Sequence, residues 1–213
     1  MMRRKLKVIF RRLYSEFGPQ HWWPAEDSFE VIVGAVLTQG TNWLNVEKAI
    51  ARLKAKNLLS PEKLFRMSSA KISTLIKSAG YHNIKAGRIK EFLKFFFGVY
   101  QGDLKKMSQT DHRELRKLLL SVKGIGPETA DSILLYALNK PVFVVDAYTR
   151  RIFSRHGLIQ EKADYAEVQD IFMRNLKDSV RMFNEYHALL VKLGKDYCRK
   201  QDPKCGICPL HGQ

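Results

Sequence analysis

Cysteine is scarce. The 213 residues hold three, Cys198, Cys205 and Cys208, all of them after Tyr197. The disulfide framework of a small secreted domain is therefore excluded, and an intracellular, cytoplasmic protein is expected. Long apolar runs are missing too. No stretch approaches the roughly 20 residues that span a bilayer, and "VIF" near the start is too short for a signal-peptide core, so no membrane partner is expected. Acidic residues are few: 21 Asp and Glu against 37 Lys and Arg leave a formal charge of +16. With no low-complexity tail to carry it, that excess favours a polyanionic partner over a merely solubilising surface, and nucleic acid leads.

Strand signals are almost absent, "PVFVVD" being the one β-like segment. At that length it is better taken as an extended connection. Helical signals fill the rest. Apolar residues recur at three and four spacing in "FEVIVGAVLTQ", "NVEKAIARLKAK", "SSAKISTLIKSAG", "IKAGRIKEFLKFFFGVY", "RELRKLLLSV", "ETADSILLYALN", "YAEVQDIFMRNL" and "FNEYHALLVKLGKDYC". The basic start "MMRRKLKVIFRRLYSEFG" reads as an amphipathic helix, and "WWPAEDS", "LLSPEK", "AGYHN", "YQGD", "KGIGP", "NKP" and "RHGLI" mark turns. Ser60 before Pro61, and Gly126 before Pro127, mark helix starts. The class is all-α.

Two features carry chemistry. In "SVKGIGPETA" the glycines Gly124 and Gly126 flank Ile125, which allows a tight turn with uncovered backbone N–H groups. Free N–H groups at the following helix start and the Lys123 ammonium complete an anion site suited to a phosphate. A plain helix–turn–helix corner is the alternative. Further on, Asp146 closes the apolar run "VFVVD", where a carboxylate is costly unless it has a partner or a task. It can cap the helix of "AYTRRIF" and also stabilise positive charge that develops on a sugar when an N-glycosidic bond breaks.

Together "LLSVKGIGPETADSILLYAL" and "FVVDAYTRRI" resemble the helix–hairpin–helix and Gly/Pro-Asp motif of the endonuclease III superfamily of DNA glycosylases. "VGAVLTQGTNW", "AGYHNIKAGRI" and "HALLVKLGKDYC" extend the resemblance over nearly the whole chain. It implies two helical subdomains with the DNA and active-site cleft between them. Residues 26–138 would form a six-helix barrel-like subdomain carrying the hairpin, and residues 1–25 with 139–213 a second subdomain with the catalytic aspartate and a cysteine loop. It also implies a phosphate grip by Lys123, Gly124, Ile125, Gly126 and Thr129, with Asp146 as the catalytic carboxylate. The partner would be double-stranded DNA containing a damaged base, bound by a monomer.

Members that also nick the backbone carry a Schiff-base lysine two residues after the second glycine. Here Glu128 stands there, and a carboxylate cannot form an imine. "HWWPAEDSFEVIVGAVLTQGTNW" and "VKGIGPETADSILLYALNKPVFVVD" look like the 3-methyladenine DNA glycosylase III family, in which a glutamate also takes that place. Glu128 therefore joins Asp146 as a catalytic-site candidate. The resemblance lines the base pocket with Trp22, Trp23, Pro24 and Trp43. A purine alkylated at N3 or N7 is cationic, and stacking on indole gains about 0.5–2 kcal/mol; core packing of the tryptophans is the alternative. By the resemblance, Gln39, and Tyr81 or His82, sit where this superfamily fills the gap left by a flipped base; hydrogen-bonded loop residues are the alternative.

The spacing C-x6-C-x2-C of Cys198, Cys205 and Cys208 resembles the superfamily's [4Fe–4S] loop, whose fourth ligand would follow Gln213. Zinc held by the three cysteines and His211 is the runner-up. The expected function is a base-excision-repair N-glycosylase, monofunctional, acting on alkylated purines. The rivals are an endonuclease III-like glycosylase and AP lyase on oxidised pyrimidines, and a non-catalytic helix–hairpin–helix DNA-binding protein.

Overall fold

The computed structural model describes residues 1–212. Among the described residues twelve α-helices follow one another: α1 (Met2–Phe17), α2 (Ser28–Leu37), α3 (Trp43–Ala55), α4 (Pro61–Arg66), α5 (Ser69–Leu75), α6 (His82–Tyr100), α7 (Leu104–Gln109), α8 (His112–Ser121), α9 (Pro127–Ser132), α10 (Ala147–Arg155), α11 (Tyr165–Asn175) and α12 (Val180–Asp196). Helix α9 runs on as a π-helical segment, Ile133–Ala137. There is no β-strand among the described residues, and the fold is all-α. The segment "PVFVVD" is extended but pairs with no neighbour as a strand. Its register is held by side chains instead: Gln169 Nε2 donates to the Phe143 carbonyl and the Val145 amide to Tyr165 Oη.

The chain divides into two compact units, Ala25–Leu138 and Met1–Pro24 with Asn139–Gln213. In the first, α2 is the axis. Every residue from Phe29 to Leu37 is buried; all are apolar except Glu30, whose Oε2 pairs with Lys54 Nζ at 2.7 Å. Helices α3, α6, α9 and the π segment pack on it. Side-chain caps set the helix starts: Asp27, Ser60, Asp103 and Asp111 each accept from a backbone N–H of the first turn. The Asp103 cap starts the short α7, a helix too brief to show apolar periodicity.

In the second unit α1, α10, α11 and α12 enclose an aromatic core. Phe143 stacks on Phe172 with centroids 3.7 Å apart, and Tyr186 Oη donates to the Leu6 carbonyl at 2.8 Å, tying α12 to α1. No described helix is long and apolar enough to cross a membrane.

Candidate active site and nucleic-acid interface

The hairpin joins α8 to α9. Arg116 on α8 reaches the fully buried Asp131 on α9 with Nε 2.6 Å from Oδ1 and Nη2 3.0 Å from Oδ2. This two-pronged contact fixes the helices that present the turn. Between them Ile125 and Thr129 are buried, whereas Lys123, Gly124, Gly126 and Glu128 are exposed. Gly124 has φ +88°, a conformation that disfavours any side chain. Gly126 caps α9 with φ −91° and is ordinary extended backbone. The Lys123 charge is felt by Glu91, whose carboxyl is held below its usual range first by the hydrogen bond from Lys94.

Gln39, expected as a gap-filling residue, is bonded onto this hairpin. Its Nε2 donates to the Gly124 carbonyl at 3.1 Å and to Thr129 Oγ1 at 2.8 Å, and its Oε1 accepts from Arg88 Nη1. The two candidates beside α6 differ. Tyr81 is 71 % exposed with φ +45°, at the tip of its loop. His82 is half-buried, with Nδ1 2.7 Å from Ser73 Oγ. Behind both loops lies Lys85, buried, with Nζ donating to the carbonyls of Leu37 and Ala79 at 2.7 Å each. Burial first, then the Arg88 charge, brings its pKa down to about 8. Lys85 and Arg88 lie within the segment "AGYHNIKAGRI" that resembles the superfamily, but the sequence assigns neither a role. The signal available was their placement, three residues apart in "GYHNIKAGRI", where one helical face carries both.

Asp146 caps α10, with Oδ1 accepting from the Thr149 amide at 2.7 Å. Its side chain is only 12 % exposed, and Oδ2 stands 3.6 Å from Nε2 of the buried His187 on α12. Burial lowers the His187 pKa, with the Asp146 charge opposing, so the imidazole is neutral near pH 7. The Tyr148 phenol is pushed up by burial and then by Asp146, with Arg151 opposing. Gly194 on α12 makes room for Tyr148: a Cβ there would meet the Tyr148 Cδ1 at 2.4 Å. His187 was missed in the sequence because it sits in an apolar helix pattern that core packing explains equally well.

Trp22 and Trp23 meet edge to face at 5.5 Å, both half-buried, and Pro24 is exposed. The Lys195 ammonium lies 5.7 Å from the Trp22 centroid, so this indole already faces one cation. Trp43 opens α3, with Nε1 donating to Glu47 Oε1.

At the C-terminal loop Cys198 is buried, Cys205 exposed and Cys208 half-buried. Arg151 Nε donates to the Cys198 carbonyl at 2.7 Å, and Arg155 donates to the carbonyls of Arg199 and Lys200. Burial raises the Cys208 thiol, the Leu210 amide opposes, and Cys198 and Cys205 add to the rise. His211 Nδ1 lies 3.0 Å from the Cys205 carbonyl oxygen. Among the described residues no group of three or more His, Cys, Asp or Glu side chains could hold a metal. Cys198, Cys205 and Cys208 are the three thiols that would hold a [4Fe–4S] cluster, and the expected fourth position, after Gln213, lies outside the described residues.

Comparison with known proteins gives a consistent picture. Residues 33–178 match the family described as HhH-GPD superfamily base excision DNA repair protein. A Methanocaldococcus jannaschii protein assigned to the DNA repair glycosylases is 48% identical over 204 residues, 95% of this chain and 92% of that one. Endonuclease III of Thermotoga maritima is 26% identical over 96% of this chain and 90% of its own. Among solved structures, Helicobacter pylori 3-methyladenine DNA glycosylase bound to 1,N6-ethenoadenine superposes with TM-score 0.78 at 27% identity, over 91% of this chain and 97% of that one. A trapped endonuclease III–DNA covalent intermediate gives TM-score 0.84 at 22% identity, over 99% and 94%, a likeness of fold.

Proposed function

Because the chain belongs to the HhH-GPD superfamily of base excision DNA repair proteins, and is a DNA glycosylase within it, we propose that it is monofunctional and hydrolyses the glycosidic bond of alkylated purines such as 3-methyladenine. The observation that carries this reading is the setting of Asp146. One carboxylate oxygen is pinned by the Thr149 amide, and the other faces a histidine kept uncharged by burial. The imidazole therefore does not cancel the carboxylate's field.

In that field the bond between C1′ and the base breaks with its electron pair passing to the purine. A purine that was cationic leaves neutral, so no acid is needed to expel it. The sugar takes up positive charge as an oxocarbenium-like species, which the Asp146 carboxylate stabilises. Water then adds to C1′ and gives its proton to Asp146. Trp22 and Trp23 would supply indole faces for the cationic base, with Pro24 at the edge of the tryptophan pair. The hairpin residues Lys123 to Gly126 and Thr129 would bear on the DNA backbone. Tyr81, exposed at its loop tip, is favoured over His82 for the space the base vacates.

Glu128 supports the monofunctional assignment. It is exposed on the hairpin helix, and it offers no amine for a Schiff base with the sugar. No step is routed through a metal or cluster. A panel of lesion duplexes tests the proposal: wild type should release alkylated purines, and Asp146→Asn should keep duplex affinity while excision falls by about 10²–10³. Wild-type excision by Asp146→Asn would remove Asp146 from the reaction.

A further inference from the structure

Arg88 lies where the loop of Gln39 meets the hairpin. Its Nη1 donates to Gln39 Oε1, while Gln39 Nε2 donates onward to the Gly124 carbonyl and Thr129 Oγ1. The Arg88 side chain runs flat against Gly124: a Cβ there would stand 2.5 Å from its Cγ and 2.9 Å from its Nε. Arg88 is half-buried, and the hairpin residues around it, Lys123, Gly124 and Gly126, are exposed. A guanidinium is thus parked at an exposed turn with a neutral amide oxygen as partner. The amide offers that cation no opposite charge. A phosphate offers paired oxygens and a negative charge, which match the guanidinium fork better.

We propose that Arg88 is a further phosphate ligand at the hairpin, and that it exchanges the Gln39 oxygen for a backbone phosphate when duplex DNA binds. This rests on the assignment of the hairpin to the DNA backbone. The exchange links two events. Seating the backbone removes the cation that fixes Gln39, and Gln39 is then held to the hairpin by its Nε2 alone. The Gln39 side chain becomes available to the duplex only after the hairpin is in place.

Binding to undamaged duplex tests the exchange, because no base leaves the stack there and excision plays no part. Arg88→Met should lower the slope of log affinity against log salt by about one unit. Gln39→Met keeps the bulk and removes the acceptor, so Arg88 no longer has to give it up. Binding should tighten roughly two- to tenfold, the fold-change that one net hydrogen bond represents. In the Arg88→Met background the same Gln39→Met change should move affinity less than about twofold. Gln39→Ala provides a second removal of the acceptor, with the same expected dependence on Arg88. A role confined to folding would instead weaken binding on either substitution, in either background.

An unchanged salt slope for Arg88→Met overturns the proposal, as does a Gln39 effect that is equal with and without Arg88. If wild type itself binds duplex without steep salt dependence, the backbone assignment of the hairpin falls and this proposal falls with it. Steep wild-type dependence together with an unaltered Arg88→Met slope rejects the exchange alone.

Discussion

Replacing Gly124 by alanine perturbs the hairpin in two ways whose sizes follow from the structure. The backbone there has φ +88°, and holding an L-residue in that region costs about 1–2 kcal/mol. The new Cβ would also lie 2.5 Å from Arg88 Cγ, so the arginine must swing away and lose its bond to Gln39. One such net bond is worth about 0.5–1.5 kcal/mol. The sum is about 1.5–3.5 kcal/mol, or about 3–14 °C in the melting temperature of a chain this size. Gly126 is the matched control. Its φ is −91° and nothing stands within 4 Å of a Cβ placed there, so Gly126→Ala should change stability by less than about 1 kcal/mol. Calorimetric melts of both variants, and of Gly124→Ala combined with Arg88→Ala, measure the two parts. Arg88→Ala removes the atoms that clash, so the double variant should be more stable than the sum of the singles implies. Equal melting temperatures for Gly124→Ala and Gly126→Ala, or strict additivity with Arg88→Ala, would refute the hairpin geometry described above.

Lys85→Met should strip the Leu37 and Ala79 carbonyls of their donor and destabilise the protein by about 1–3 kcal/mol for each acceptor left bare. The folded pKa of Lys85, about 8, lies below its ordinary 10.5, so between those values the unfolded chain binds the extra proton and stability rises with pH. The melting-temperature gap between wild type and Lys85→Met should therefore widen from pH 7 to pH 10; a constant gap would contradict it. Gly194→Ala puts a Cβ 2.4 Å from the Tyr148 ring and 2.8 Å from the Tyr148 Cβ, which no rotamer change relieves, so α10 must shift against α12. Overpacking of this kind costs about 1–3 kcal/mol, and excision should slow because Asp146 begins the displaced helix; unaltered stability and rate would contradict the close approach.

Much of this was legible in the sequence. Three-and-four periodicity marks most of the helices, Ser60 and Gly126 start the helices expected of them, and "VFVVD" delivers Asp146 as a helix cap. What escaped is long-range. Lys85 meets Leu37 across 48 positions and Arg88 meets Gln39 across 49, and no local pattern encodes which carbonyl or amide a lysine or arginine will find. The π segment Ile133–Ala137 escaped because "SILLYAL" has the apolar pattern of an ordinary helix, and its widened turns depend on how it packs against α2. Gly194 carries no signal in "KLGKDY"; only the approach of Tyr148 explains it.

The central claim is hydrolysis of an alkylpurine glycosidic bond without backbone cleavage, and it is tested most directly on an end-labelled duplex bearing one 3-methyladenine. Incubation with the protein should free the base and leave an intact abasic strand that breaks only on hot alkali, and borohydride should trap no protein–DNA adduct. Strand nicking without alkali, together with a borohydride-trapped adduct, would contradict the account and assign the protein to the lyase branch despite Glu128.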